Sequence, residues 1–297
     1  MKALILAAGK GTRLGAATQG IGPNGTGMSK PLVLTYNKPT IYHPLADLIA
    51  AGIDDIQIIA APDNVEQFSL TLGNGDALGI NLSYGVQKVP RGIAESFLIA
   101  RRFIGNDHVT LTFGDNIFNS TQFTQKMKAC LNPEGATVFA LKVNNPQEYG
   151  VVEFDSDGKA ISIEEKPEAP KSNYAVPGMY FYDSSVVEVA RGIRPSARGE
   201  LEISAVNEVY LHEGHLRVET LSNRTQWFDT GTPDSLFEAA SYVRQTERRT
   251  GRLIGSPEAA AFLAGFITTE QLEELAQPLV KSSYGKALLH LAVNGSW

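Results

Sequence analysis

The chain has 297 residues, enough for one large domain or two ordinary ones, each with its own buried core. At 43% hydrophobic and 20% charged residues it is not a disordered or fibrous polypeptide. Its net charge of −6 argues against nucleic acid or a membrane surface as partner, though not against a local basic pocket for a phosphate.

The chain opens with a short apolar run, Met1 to Leu6, too short for a signal peptide and read as a first strand. No run of about 18 apolar residues follows, so no membrane-spanning helix is expected. The single cysteine, Cys130, leaves no intrachain disulfide and no cysteine-built metal site. Together these features lead us to expect a cytoplasmic protein.

Strand-like runs occur at 3–7, 56–60, 82–86 and 109–113. Between them lie segments of helical spacing: Ile41, Leu45, Leu48 and Ile49; Val65, Phe68 and Leu72; Ala94, Phe97, Leu98 and Ala100. Pro39 reads as a helix start and Gly52 as a stop. This alternation predicts βαβ units and an α/β, Rossmann-like, mostly parallel sheet with helices on both faces.

After residue 136 the pattern changes. Runs at 136–143, 150–154, 160–164 and 175–182 have few helical segments between them, and Asp155-Ser156-Asp157-Gly158 reads as a hairpin turn. Added antiparallel strands are expected to cover one end of the sheet. Ser204–Leu211 and Pro233–Arg249 return to helical spacing, and the last 45 or so residues read as two or three helices. The expected organisation is a core over 1–252, with a nucleotide-binding half to about 135 and a sugar-binding half over about 136–232. A helical extension occupies 253–297.

Four segments carry the chemistry. Leu6-Ala-Ala-Gly-Lys-Gly-Thr-Arg-Leu14 follows the first strand. Its small residues let backbone N–H groups approach an anion, and Arg13 can pair with phosphate oxygens. The segment is not a P-loop, and it lacks the third glycine of the dinucleotide fingerprint. Gly114-Asp115-Asn116 stands at the carboxyl end of the fourth strand, where α/β sheets bind ligands and where a carboxylate can hold Mg²⁺. Asp229-Thr-Gly-Thr232 offers a second carboxylate 114 residues later. Glu164-Glu-Lys-Pro167 can point Lys166 at a phosphate while Glu165 accepts from hydroxyls. Each segment alone is equally compatible with a plain role: a flexible loop, a turn aspartate, a helix cap or a solvated turn.

Taken together and in order, these segments resemble the sugar-1-phosphate nucleotidyltransferases. The likeness extends to Lys38-Pro-Thr-Ile-Tyr42-His-Pro-Leu45, Tyr149-Gly-Val-Val-Glu153, Lys171-Ser-Asn-Tyr-Ala-Val176 and Gly199-Glu-Leu-Glu-Ile203, and so covers nearly the whole chain. It implies in-line transfer of a nucleotidyl group to a sugar 1-phosphate with release of pyrophosphate. Within the family, the thymidylyltransferase branch fits best, with dTTP and glucose 1-phosphate as substrates. The same chemistry with UTP or CTP and another hexose 1-phosphate is the alternative. A catalytically silent nucleotide-sugar-binding paralogue is disfavoured, because Arg13, Lys166 and both aspartates are present.

By resemblance, Leu6, Ala8, Gly9, Gly11, Thr12, Arg13, Lys30 and Asp115 would hold the nucleotide, and Gln87 and Gly92 would read its base. Asn116, Gly150, Glu165, Lys166, Val176 and Arg198 would serve the sugar phosphate, and Asp115 and Asp229 would bind Mg²⁺. The implied catalytic set is Arg13, Lys30, Asp115, Lys166 and Asp229. None of the five histidines is assigned to catalysis. The C-terminal helices imply a homo-oligomer, a tetramer by resemblance, with a regulatory nucleotide site.

Four departures stand out. A seven-residue insertion lies between Gly20 and Lys30, within about 21–28, and reads either as a lid beside the triphosphate or as a loop with no role. Pro31 and Glu95 each replace a glutamine on the nucleotide side, and Leu263 replaces an arginine in the extension. The first three bear on nucleotide binding and choice of base, the last on regulation.

Overall fold

The computed structural model describes residues 1–20, 27–120 and 122–297. Residues 21–26 of the insertion lie outside the described residues, and its reading as a lid with them.

In chain order the strands are β1 (Lys2–Ala7), β2 (Leu34–Thr35), β3 (Lys38–Pro39), β4 (Asp55–Ala60), β5 (Asn81–Val86), β6 (Val109–Phe113), β7 (Asn116–Asn119), β8 (Ala136–Lys142), β9 (Gly150–Phe154), β10 (Ala160–Glu165), β11 (Tyr174–Ala175), β12 (Met179–Tyr182), β13 (Leu216–Thr220) and β14 (Gln226–Asp229). The helices are α1 (Ala16–Gln19), α2 (Tyr42–Ala51), α3 (Val65–Leu72), α4 (Glu95–Ile99), α5 (Arg101–Ile104), α6 (Phe123–Ala129), α7 (Val186–Gly192), α8 (Ile203–His212), α9 (Pro233–Thr250), α10 (Pro257–Ala264), α11 (Thr269–Ala276) and α12 (Ser283–Asn294).

One large sheet runs in the order β10-β9-β11-β8-β12-β6-β1-β4-β5, with β13 parallel to β8. Its β6-β1-β4-β5 part is parallel throughout, as the alternating pattern predicts. The antiparallel strands extend this sheet beyond β6 through β12 rather than covering one end of it. The run at 175–182 is two strands, not one. It breaks at Val176-Pro177-Gly178, where Pro177 has no N–H to donate and a side chain at Gly178 would strike the Phe113 ring. Pro39 lies in β3, and Pro44 takes the first turn of α2, while Gly52 ends that helix at φ +94° as read.

Alternate residues of β1 face opposite sides: Ala3, Ile5 and Ala7 join one apolar core, and Leu4 the other. A sheet covered on both faces has this consequence. Phe97, Val206 and Tyr210, from α4 and α8, cover one face; Leu45, Leu48 and Met127, from α2 and α6, cover the other. The extension joins that second core. Leu272, Leu288 and Leu291 are fully buried in it, and Phe262 and Phe266 pack against it. Ser256, Thr268 and Ser282 cap the three helices with side-chain oxygens.

Shared burial predicts shared unfolding. Leu288→Ala should cost about 2–5 kcal/mol in urea denaturation and leave a single transition. Separate melting of the last helices would contradict a common core.

Candidate active site

The two acids that the sequence leaves far apart are brought together by a small ladder of their own. β7 and β14 pair antiparallel, with Asn116 opposite Asp229 and Phe118 opposite Trp227. The pairing is pinned at its end by Thr230, whose N–H and hydroxyl both donate to the Asp115 carbonyl, at 3.2 and 2.8 Å. The Phe118 and Trp227 rings stack beside it.

Lys30 enters from a short 3₁₀ turn, Lys30–Leu32. Its ammonium contacts the Asp115 carboxylate and lies 3.7 Å from Asp229 Oδ1. The Asp229 carboxyl is held above the usual carboxylate range. Burial is the main cause and the Asp115 charge the second; Lys30, Arg13 and Lys166 oppose them. Two half-buried acids thus face each other with three cations around them. Among the described residues no cluster of three or more acidic, histidine or cysteine side chains could hold a metal by itself. Two carboxylates completed by phosphate and water oxygens is, however, a usual Mg²⁺ set. The mutual repulsion recorded at Asp229 is what a divalent cation would relieve, so the donors fit such an ion.

The loop after β1 flanks this pair. Leu6 accepts from Gly114 N–H at 3.0 Å, and Ala8 is buried beneath the loop. Gly9 faces open space, and Thr12 and Arg13 are exposed. Gly11 has φ +61°, and a Cβ there would come within 3.0 Å of Lys30 Cβ. Glycine therefore serves both the turn and the close packing against the lysine. A Cβ on Gly231 would come 2.5 Å from Arg13 Nη2 and 3.1 Å from Asp229 Oδ1, so Arg13 also lies against the second acid's loop. Pro31 packs on Gly114, next to Asp115.

On the other side of Asp229 a cavity of about 130 Å³ is lined by Asn116, Gly150, Glu165, Lys166 and Val176, all five expected for the sugar. Glu165 lies opposite Gly150 in the β9–β10 ladder, and a side chain on Gly150 would meet its carboxylate at 3.5 Å. Burial, and then the nearby Glu202 charge, raise the Glu165 carboxyl above its ordinary range. Lys166 is one of two non-glycine residues at positive φ, +45°, among those described. Its N–H donates to the Tyr149 carbonyl at 3.0 Å, which helps hold this strained turn.

Arg198 is not on the cavity wall. Its guanidinium is paired with Glu202 at 3.0 Å and Glu200 at 3.1 Å. Gln87 and Gly92 lie further along the same sheet edge, after β5, and Gln87 donates to the Gly92 carbonyl at 3.1 Å. Two contributors escape sequence reasoning. Trp227 lines the cavity and donates from Nε1 to Asn116 Oδ1 at 2.6 Å, while Asn116 donates to Asp115 Oδ1 at 3.0 Å. Thr230 anchors Asp115 from behind. Both lie within or beside the Asp229 motif, but nothing in the sequence tells which carbonyl or amide they reach.

Comparison with known proteins gives the family of the chain. The sequence model of the nucleotidyl transferase family matches residues 2–246. The glucose-1-phosphate thymidylyltransferase of Mycolicibacterium smegmatis is 49% identical, over 98% of this chain and 99% of its own. The Neisseria meningitidis protein of the same name is also 49% identical, over 98% and 99%. A crystal structure from Bacillus anthracis, assigned as a glucose-1-phosphate thymidylyltransferase and holding a sucrose, is 37% identical. It superposes with a TM-score of 0.74 over 82% of this chain and 95% of its own. A UDP-glucose pyrophosphorylase complexed with UDP-glucose, 20% identical, shares the fold at a TM-score of 0.69. With a matching fold, two converging acids and near-complete relatives at half identity, the chain belongs to the nucleotidyl transferase family.

Proposed function

We propose that this protein transfers a thymidylyl group from dTTP to glucose 1-phosphate, giving dTDP-glucose and pyrophosphate. The observation that carries the reading is the meeting of Asp115, Asp229 and Lys30 between a glycine-lined anion loop and the Glu165–Lys166 cavity. The near-full-length relatives of that name supply the substrate pair.

The order of strands along the carboxyl edge suits a ligand laid across it. Gln87 follows β5 and the glycine loop follows β1, two strand spacings or about 10 Å away. Asp115 follows β6, and the cavity lies beyond. Base, triphosphate, reacting phosphorus and sugar would occupy these stations in turn.

The reaction is an in-line displacement. A phosphate oxygen of the sugar 1-phosphate attacks the α-phosphorus, and the bond to the β,γ-pyrophosphate breaks. No proton need move and no side chain need act as nucleophile, so the work is positioning and charge neutralisation. The loop amides with Arg13 hold the triphosphate, Lys166 draws the second phosphate in, and Lys30 lies between the acids. Glu165, on the cavity wall, accepts from sugar hydroxyls. Asp115 and Asp229 would hold Mg²⁺, which when bound neutralises phosphate charge. A homotetrameric assembly belongs to this proposal through the resemblance alone, and a cytoplasmic location through the sequence features that lead us to expect it.

Four nucleoside triphosphates set against several sugar 1-phosphates, with pyrophosphate release followed with and without Mg²⁺, test the reading. The expected result is turnover greatest for dTTP with glucose 1-phosphate and lost without the metal. No release from any pair would remove it. Arg13→Ala and Lys166→Ala should each lower kcat/KM about 10²–10³-fold.

Asp229→Asn gives a separable prediction. A carboxyl whose folded pKa is raised binds its proton more tightly folded than unfolded. Its ionised form therefore opposes folding above that pKa, and the penalty fades as pH falls through it. At pH 7 the asparagine variant should lose activity yet melt no lower than the parent, and any stability gain should shrink towards acid pH. A clear drop in Tm at pH 7 would contradict this.

A further inference from the structure

Lys30 reaches both acids, yet its backbone belongs to neither a strand nor a long helix. It opens the 3₁₀ turn Lys30–Leu32, and the Ser29 side chain gives that turn no cap. The Ser29 hydroxyl is buried and has no partner among the described residues. What holds the approach to Lys30 is a side-chain amide from α3. The Ser29 N–H donates to Gln67 Oε1 at 3.1 Å, across 38 residues of sequence. Gln67 Nε2 in turn donates to the Gly27 carbonyl at 3.5 Å.

One residue of a parallel strand pairs with its neighbour in the same way, through a carbonyl and the N–H two residues further on. A primary amide carries donor and acceptor in one plane, so a glutamine side chain can stand in for such a backbone unit. A second contact comes from α1. A Cβ on Gly27 would fall 2.2 Å from the Thr18 carbonyl oxygen, and the Thr18 hydroxyl donates to the Gly11 carbonyl at 2.7 Å. Gly11 is also the residue that packs on Lys30 Cβ. The chain from Gly27 to Lys30 is thus tied to the anion loop through Thr18 and to α3 through Gln67.

We propose that Gln67 is a positioning residue for the reaction: its amide fixes the chain entering Lys30 and so sets the ammonium at Asp115 and Asp229. Gln67 is not on the wall of the sugar cavity, and its role runs through Lys30 alone. The inference rests on the reading of Lys30 and the two acids as the reaction centre. A lysine side chain is long and flexible, so its ammonium keeps one place only when its backbone does. Without the amide the Ser29 N–H loses its partner, and the turn is left to packing.

The test is a double-mutant cycle on kcat/KM for dTTP and glucose 1-phosphate in the full-length enzyme. Gln67→Leu keeps a side chain on α3 and removes both bonds, and Lys30→Ala removes the group to be placed. Gln67→Leu should slow the parent about tenfold. With Lys30 already replaced, it should change the rate by no more than about twofold. A role in folding or loop packing alone would slow both backgrounds equally. Melting curves identify a variant that fails to fold, and Gln67→Met, of similar length, then takes its place in the cycle. If Lys30→Ala keeps the parent rate, the reaction centre is misread and the inference falls with it. If Lys30→Ala is slow while the Gln67 variant keeps the parent rate, or costs the same in both backgrounds, the positioning role is wrong and the centre stands. Absence of turnover in the parent would instead strike the proposed reaction.

Discussion

The site depends on one short pairing, the four-residue ladder between β7 and β14. It sets Asp229 beside Asn116 and so next to Asp115. The ladder stands apart from the large sheet, so it must be stabilised locally. The stacked Phe118 and Trp227 rings supply apolar contact on its side, and the two Thr230 bonds to the Asp115 carbonyl fix its register. A one-residue slip would turn the Asp229 side chain to the opposite face. Bonds to backbone and ring stacking can be satisfied in only one register, which is why neighbours of the acids govern where the acids meet.

That meeting is electrostatically costly, and the surroundings offset it. Two carboxylates in a half-buried space repel, and the raised Asp229 carboxyl registers the cost. Lys30 contacts one acid and approaches the other, with Arg13 and Lys166 further out. The same three cations face the region where two polyanions would be joined. With phosphates and a divalent ion bound, as proposed, the remaining repulsion would be relieved, which suits differential binding along the reaction. The positive φ of Lys166 fits this pattern, since backbone strain there is held by the Tyr149 carbonyl and aims a cation at the cavity.

Much of this was legible in the residues. The parallel strands and α2 to α4 follow from apolar period, and the helical character of the last 45 or so residues from theirs. The motif order pointed to Asp115, Asp229, Lys166 and the cavity residues. What stayed hidden were relations that depend on tertiary geometry. Pro177 splits a run that by β-propensity alone is continuous. The antiparallel strands continue the sheet because β12 pairs with β6, a choice of partner that strand composition does not encode. Arg198 directly precedes the family-like Gly199–Ile203 segment, yet two neighbouring glutamates engage it away from the cavity. Glu95 reads in the sequence as a replaced glutamine on the nucleotide side; that it accepts a hydrogen bond from Gln87 is visible only in the fold.

The central claim is that Asp115 and Asp229 act as one unit on a shared cation. A double-mutant cycle on pyrophosphate release tests it most directly, using Asp115→Asn, Asp229→Asn and the pair at saturating Mg²⁺. Shared action predicts that the double variant is scarcely slower than either single one, because removing one acid already dismantles the unit. Losses that multiply independently would show that the two carboxylates work apart, and would contradict the account.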